Sequence, residues 1–171
     1  MTSKDAFTQD EWVRLRRAPM VAGMAISIAD PGGPIELTKE TMASLRAASA
    51  PPSNDELLTA VSQDILAMTQ QKQNPMGDYK IDKTSAPSTQ IVDELRGVHE
   101  ILVAKATPEE TDAFGRWMVA VAQEAANAAK EGGFMGFGAE RVSQGEQAML
   151  ASVAEAFGIA PQSGPRPGPI T

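Results

Sequence analysis

Apolar side chains recur along most of the chain at steps of three and four residues. This spacing places them on one face of an α-helix and predicts amphipathic helices that pack around a shared core. The clearest stripes begin at Leu57, Ile91, Phe114 and Met149. No clean alternation of apolar and polar residues, which would indicate a half-buried strand, interrupts them. The pattern therefore predicts an all-α fold.

Helix-start signals support this prediction. In a capping box a hydroxyl side chain is followed three residues later by Glu, and each side chain satisfies a backbone N–H of the other residue. Such boxes begin at Thr8, Ser53, Thr107 and Ser143. We therefore predict a single compact bundle of about six or seven helices.

Two stretches interrupt the helical pattern within the chain or at its end. Residues 1–160 are expected to form one globular domain, in which 71–87 shows no periodicity and is predicted to be a mobile loop. Residues 161–171 are rich in Pro and Gly and are predicted to be a disordered tail. Pro19 lies inside the first helical pattern, so that helix either kinks there or gives way to a new helix.

The glycine-rich stretch 130–146 raises the question of a phosphate-binding loop. It lacks the GxGxxG spacing after a strand and has no Gly-Lys-Ser/Thr, so neither a dinucleotide site nor a P-loop is expected. Phe134, Met135 and Phe137 instead suggest a wedge between helices or an exposed patch that docks a partner. Together with Trp12 they are the candidate partner-binding anchors.

Charge and composition narrow the function further. Hydrophobic residues make up 42% of the chain and aromatic residues only 5%, which suits a core of closely packed helices. The formal net charge is −7, and an acidic chain repels phosphate backbones, so no nucleic-acid partner is expected. The local exception, Arg14, Arg16 and Arg17, is interpreted as solvated charge.

The absence of cysteine removes disulfides, thiolate metal sites and cysteine nucleophiles together. The first residues have no apolar signal segment, and no apolar run is long enough to cross a bilayer. We therefore expect a cytoplasmic protein with no membrane span.

Residues that could carry out catalysis or bind a metal are sparse. His99 is the only histidine, and no recognisable nucleophile motif accompanies it, so a surface or boundary histidine is expected. Asp30 and Glu40 flank a Pro-Gly turn and could face each other across it as a candidate site for a weakly bound divalent metal. No catalytic residue and no cofactor are predicted.

Two parts of the chain resemble TerB-like proteins of the tellurite-resistance superfamily. In these proteins a buried Ala-rich helix ends in Asp-Gly, a helix with an early Glu follows, and a Leu-x-x-Ile-Ala-x-x-Leu-Gly-Ile ending is common. The matching positions are Asp30, Gly32, Glu40, Glu146, Leu150, Val153, Ala154, Phe157, Gly158 and Ile159. The resemblance implies an all-α fold of two related helical-hairpin halves, a binding or stress-related role, and a weak acidic metal site at Asp30 and Glu40. Gly132-Gly133 stands without an Asp in the second half, which departs from the pattern.

These observations favour a non-enzymatic binding or scaffolding module that acts through protein–protein contacts, with another protein or as a homodimer. Two alternatives stay open. A small metal-dependent or acid–base enzyme would use Asp30, Glu40 and His99 beneath the 71–87 loop. A helical small-ligand carrier would hold its ligand in a pocket between helices lined by Met and Ala.

Overall fold

The computed structural model describes residues 1–29, 34–130 and 142–160, and helices account for most of these ranges. A short 3₁₀-helix at Lys4–Ala6 comes first. The α-helices that follow are α1 (Gln9–Ala29), α2 (Pro34–Ala48), α3 (Glu56–Gln70), α4 (Pro87–Lys105), α5 (Pro108–Lys130) and α6 (Gln144–Ala156). No strand occurs within the described ranges, and the predicted all-α bundle is confirmed. The predicted tail at 161–171 lies outside them.

Capping boxes start three of the helices as predicted. In each box the hydroxyl accepts from the N–H of a Glu three residues later, and the Glu carboxylate accepts from the N–H of the hydroxyl residue. The pairs are Thr8–Glu11, Thr107–Glu110 and Ser143–Glu146. These short local patterns therefore fix where α1, α5 and α6 begin.

The predicted box at Ser53 is wrong, because Asp55 caps α3 instead. The Asp55 carboxylate accepts from the N–H of Leu57 at 3.0 Å and of Leu58 at 3.3 Å. Aspartate is as good a cap as serine. A start at Glu56 also sets Leu57 and Leu58 in the first turn, where both side chains are fully buried.

The helices α1 and α5 form the centre of the bundle, and each packs against all the other α-helices. The hairpin of α1 and α2 packs against the hairpin of α5 and α6 reciprocally. The second helix of each hairpin contacts the first helix of the other, so that α2 lies on α5 and α6 lies on α1. The predicted relation between two helical-hairpin halves stays a prediction.

The helix α1 continues without a break through Pro19, so the alternative that a new helix begins there is wrong. Proline has no N–H and normally disrupts a helix interior at a cost of about 3 kcal/mol. Here Pro19 is buried between the buried residues Ala18 and Val21, and tertiary packing outweighs the local penalty.

The core is built mainly of aliphatic and small side chains, as the composition suggests, with a few aromatic rings between helices. Phe114 and Trp117 of α5 pack edge to face with ring centroids 5.5 Å apart. The Trp117 indole N–H donates to the Ala47 carbonyl at the end of α2, at 3.0 Å. That bond satisfies a buried polar atom and fixes α2 against α5.

The connection from Gln71 to Ala86 contains no helix or strand, and its residues contact α1 and α4. The Arg17 guanidinium stands over the Tyr79 ring at 4.9 Å, and the Arg16 side chain donates to the Pro75 carbonyl at 3.4 Å. Met76, Tyr79 and Ile81 pack onto the core. Its predicted mobility stays a prediction, but these contacts place the segment beside the site described next.

Candidate functional site

A cleft of about 500 Å³ lies between α1, α2 and the segment where α3 ends. The described residues that line it are Met20, Gly23, Met24 and Ser27 of α1, Thr41, Ser44 and Leu45 of α2, and Thr69, Lys72, Gln73, Asn74, Pro75 and Met76. This volume lies within the usual range for small-molecule sites, about 300–1,000 Å³.

The base of the cleft is a close crossing of α1 and α2. A Cβ atom added to Gly23 would lie 2.0 Å from the Ser44 hydroxyl oxygen and 2.6 Å from the Ser44 Cβ. The two helices approach this closely only because Gly23 has no side chain. Met20 and Met24 lie one turn apart on the same face of α1. They stand beside the crossing and form one wall of the cleft.

The walls of the cleft are mainly apolar and adaptable. Met20, Met24, Leu45 and Met76 are all half-buried, and each also packs against the hydrophobic core. Methionine is unbranched and polarisable, so it adjusts its shape to irregular apolar partners. The cleft therefore offers a surface that can adapt to an apolar group.

The hydroxyl groups deep in the cleft already donate their hydrogens to α2. The Ser44 hydroxyl donates to the Glu40 carbonyl at 2.8 Å, and the Ser27 hydroxyl donates to the Glu40 carboxylate. A hydroxyl has a single hydrogen to donate. Ser27 and Ser44 thus have no further hydrogen to offer a ligand.

The outer rim carries a lysine in an unusual backbone conformation. Lys72 has φ of 57°, in the left-handed region that glycine normally occupies. It follows the end of α3, where the Gln73 N–H donates back to the Met68 carbonyl at 2.8 Å and the Lys72 N–H to the Thr69 carbonyl at 3.0 Å. Lys72 is exposed and forms no ion pair with any described residue.

Of the predicted partner-binding anchors, the structure describes Trp12 alone. Phe134, Met135 and Phe137 lie outside the described ranges. Trp12 is only 4% exposed, and its indole N–H donates to the Asp64 carboxylate at 2.9 Å. Because its ring is packed inside the chain, Trp12 presents little surface to a partner.

Of the two residues of the predicted metal site, the structure describes only Glu40. Asp30 lies outside the described ranges, while Glu40 is 2% exposed and accepts from Ser27. In the described part of the chain, no group of three or more His, Cys, Asp or Glu residues is placed to hold a metal ion. A single carboxylate falls far short of the oxygen ligands that Ca²⁺ needs. The described residues alone do not form this site, and the metal stays a prediction.

His99, which the enzyme alternative combines with Asp30 and Glu40, lies on α4. Its ring packs edge to face against Phe157 beside α6, with centroids 5.8 Å apart. Its Nδ1 atom is buried without a hydrogen-bond partner among the described residues. Glu40 lies on α2 and accepts from Ser27 of α1, so the hydrogen bonds and ring contacts described here do not join it to His99.

The interpretation of the N-terminal arginines as solvated charge is wrong. Arg14 and Arg17 both donate to the Glu94 carboxylate, at 3.0 Å and 2.7 Å at their closest. Arg16 pairs with Asp64 at 3.3 Å. Burial alone would raise the pKa of Asp64, but the hydrogen bond from Trp12 and the charges of Lys4 and Arg16 lower it overall.

Sequence reasoning missed the cleft residues Ser44 and Lys72. The sequence did contain a sign of the close α1–α2 crossing. Gly23 and Ser27 are small residues one turn apart on α1, a spacing that lets another helix approach. The sequence does not show that Ser44 is the partner across the interface. It also does not show that Lys72 takes a glycine-like conformation, because no turn residue marks that position.

Comparisons with protein-family models, with curated proteins and with solved structures found no match for this chain. The TerB-like resemblance is therefore still a prediction. In the part of the chain that the structure describes, no helix has the length and apolar character needed to span a bilayer.

Proposed function

We propose that this chain is a non-enzymatic binding module that holds a small ligand in the cleft between α1, α2 and the end of α3. The observation that carries the proposal is the cleft itself, about 500 Å³ in volume with methionines and a leucine along its walls. A concave and largely apolar site with a few polar groups at its edge is the usual form of a small-molecule site. The proposal is the carrier alternative that the sequence left open.

Binding is favoured over catalysis by the chemistry of the cleft lining. Among the described lining residues, Lys72 is the only one with an ionisable side chain. Ser27 and Ser44 donate to Glu40, and the Thr69 hydroxyl donates to the Ile65 carbonyl at 2.8 Å. A nucleophile needs a neighbouring base to activate it. Ser27 is the only one of these hydroxyls bonded to a carboxylate, and Glu40 is not among the described lining residues. The described lining thus supplies no base of its own, which supports a role in binding.

Contact with a protein partner is the second candidate function. Met42 of α2 is 55% exposed beside Thr41 at the cleft, which favours an apolar contact on this face. Phe134, Met135 and Phe137 are proposed to extend such a contact. This second candidate also includes the other properties expected from the sequence. They are a homodimer, a cytoplasmic location, a stress-related TerB-like role and a weakly bound metal at Asp30 and Glu40.

Methyl NMR of the methionines tests the first candidate. Protein labelled at the methionine methyl groups is titrated with a library of small amphipathic compounds. Saturable shifts of the Met20, Met24 and Met76 signals are expected, while the fully buried Met118 serves as the internal control. If no compound shifts the three cleft signals, the proposed small-ligand function is wrong.

A cleft-filling variant gives an independent test. Leu45→Trp places a large ring in the cleft and should abolish the shifts. Val103→Trp adds the same ring at an exposed position on α4 and should leave them intact. Equal binding by both variants would place the ligand elsewhere.

A further inference from the structure

We infer that the ligand of the cleft is a single-chain amphipathic anion, with its apolar chain between α1 and α2 and its carboxylate or phosphate head at Lys72. This inference rests on the proposed function, because it assigns a ligand class to the same site. Four features of the cleft support it. Two concern the apolar chain of the ligand and two concern its head group.

The deep part of the cleft suits a group that accepts no hydrogen bond. The Ser27 and Ser44 hydrogens both go to Glu40, so an anionic oxygen placed beside them would receive no hydrogen bond from either hydroxyl. It would also approach the buried Glu40 carboxylate, which is only 2% exposed. Burying an unpaired charge is costly, so the deep part favours hydrocarbon.

The shape of the deep part suits an unbranched chain. Met20, Gly23, Met24 and Ser27 follow one face of α1 over two turns, a length of about 10 Å at the rise of an α-helix. Leu45 and Met76 form the remaining apolar walls. A flexible chain can follow this groove, and the methionines can adjust around it.

The rim supplies the donors that the deep part lacks. Lys72, Gln73 and Asn74 line the rim, and their side chains carry one ammonium group and two amide groups. The Asn74 side-chain oxygen accepts from the Met76 N–H at 3.0 Å, which leaves its NH₂ group as a donor. Because the chain carries a formal net charge of −7, an anionic head needs a local cation, and Lys72 is the cation of the described lining.

The conformation of Lys72 points to the same role. A non-glycine residue at φ of 57° is strained relative to glycine, and residues strained in this way cluster at ligand-binding and active sites. Glycine would end α3 with less strain but would remove the cation from the rim. The backbone thus accommodates a lysine at a position where glycine is the better choice for folding.

Calorimetric titration with four probes of equal chain length tests the head group. The probes are decanoate, decyl phosphate, decanol and decylammonium. The three ionic probes are used below their critical micelle concentrations, and decanol below its solubility limit. We expect decanoate or decyl phosphate to bind about ten-fold more tightly than decanol, the effect of one charge-assisted hydrogen bond. The stronger of the two anions identifies the head as carboxylate or phosphate. Decylammonium should bind most weakly.

Two variants connect this preference to the rim. Lys72→Gly should lose the ten-fold preference for the anion and keep its decanol affinity, while its melting temperature is unchanged or higher. Lys80→Gly changes an exposed lysine of the same segment that does not line the cleft and should behave as wild type. An anion preference that survives in Lys72→Gly would overturn the inference.

The outcomes separate this inference from the proposed function. Tight binding of decanol and decylammonium, with shifts of the cleft methionine methyl groups, would overturn the anionic head and leave the binding function in place. If none of the four probes binds, the amphipathic-anion inference fails, and the library titration of the methionine methyl groups still decides the binding function.

Discussion

Gly23 of α1 lies against Ser44 of α2 so closely that a methyl group on Gly23 would come within 2.0 Å of the Ser44 hydroxyl oxygen. The same Ser44 hydroxyl donates to the Glu40 carbonyl within α2, at 2.8 Å. The helices can cross this closely because Gly23 has no side chain and because the Ser44 hydroxyl is bonded within its own helix. It fixes the distance between two walls of the candidate ligand cleft.

The first prediction concerns this crossing. Gly→Ala inside an exposed helix normally stabilises it by about 1 kcal/mol. Gly23→Ala should instead lower the free energy of unfolding by about 1–3 kcal/mol, because the added methyl group overpacks the crossing. Chemical denaturation measures the change. In a double-mutant cycle, Ser44→Gly should suppress most of the effect of Gly23→Ala, and additive effects would contradict the close contact.

The second prediction concerns acid stability through Glu110, which is 3% exposed. Burial raises its pKa, but hydrogen bonds from the Thr2 hydroxyl, the Thr107 N–H and the Thr2 N–H outweigh burial and lower the pKa from 4.5 to about 2. A lowered folded-state pKa means that the carboxylate stabilises the fold above pH 4.5. This contribution is lost as the pH falls from 4.5 to about 2.

The contribution of Glu110 is at most about 3 kcal/mol. Stability curves of wild type and Glu110→Gln should therefore be far apart at pH 7 and converge towards pH 2. Glu109→Gln removes a neighbouring exposed carboxylate and should follow the wild-type curve. A constant difference between wild type and Glu110→Gln across this pH range would contradict the assignment.

The third prediction concerns the paired arginines of α1. Glu94→Ala leaves Arg14 and Arg17 without their shared carboxylate and should cost about 2–3 kcal/mol of stability. The neighbouring Asp93–Arg96 pair is exposed, with side chains 62% and 53% accessible, and Asp93→Ala should cost less than about 0.5 kcal/mol. Thermal unfolding measures the loss of stability in each variant. Equal losses would show that Glu94 contributes no more to stability than the exposed Asp93.

The fourth prediction decides which residue caps α3. Asp55→Ala should lower the free energy of unfolding by about 1 kcal/mol, because two N–H groups lose their acceptor. Ser53→Ala should have little effect, although Ser53 has the sequence pattern of a cap. Circular dichroism gives the helical content of the two variants, and chemical denaturation gives their unfolding midpoints. The reverse order of the two effects would restore the sequence-based prediction.

Local chemistry explains which parts of the fold could be read from the sequence. The boxes at Thr8, Thr107 and Ser143 were predictable because a cap involves only residues three apart. The Ser53 box failed because Asp55 offers an equally good cap nearer to the buried leucines. Pro19 could not be decided locally, since its place inside α1 depends on packing by distant helices.

The candidate site was harder to predict because its residues meet only in the folded chain. The carrier alternative placed a pocket lined by Met and Ala between helices. Met20, Met24 and Met76 line the cleft, whereas no Ala is among its described lining residues. No local pattern joins Met76 to the two on α1, because the packing of the segment after α3 brings it there. The ion pairs of Arg14, Arg16 and Arg17 were missed for the same reason, since Glu94 and Asp64 lie on other helices.

The central position of α1 and α5 has a consequence for the order of events during synthesis. α1 and α5 share the centre of the bundle, but α1 emerges from the ribosome long before α5 has been translated. Until then the apolar face of α1 has only α2, α3 and α4 to cover it. Closing such a long loop carries an entropic cost and slows folding. The nascent first half therefore passes through a period in which a chaperone can bind the surface that later becomes the core.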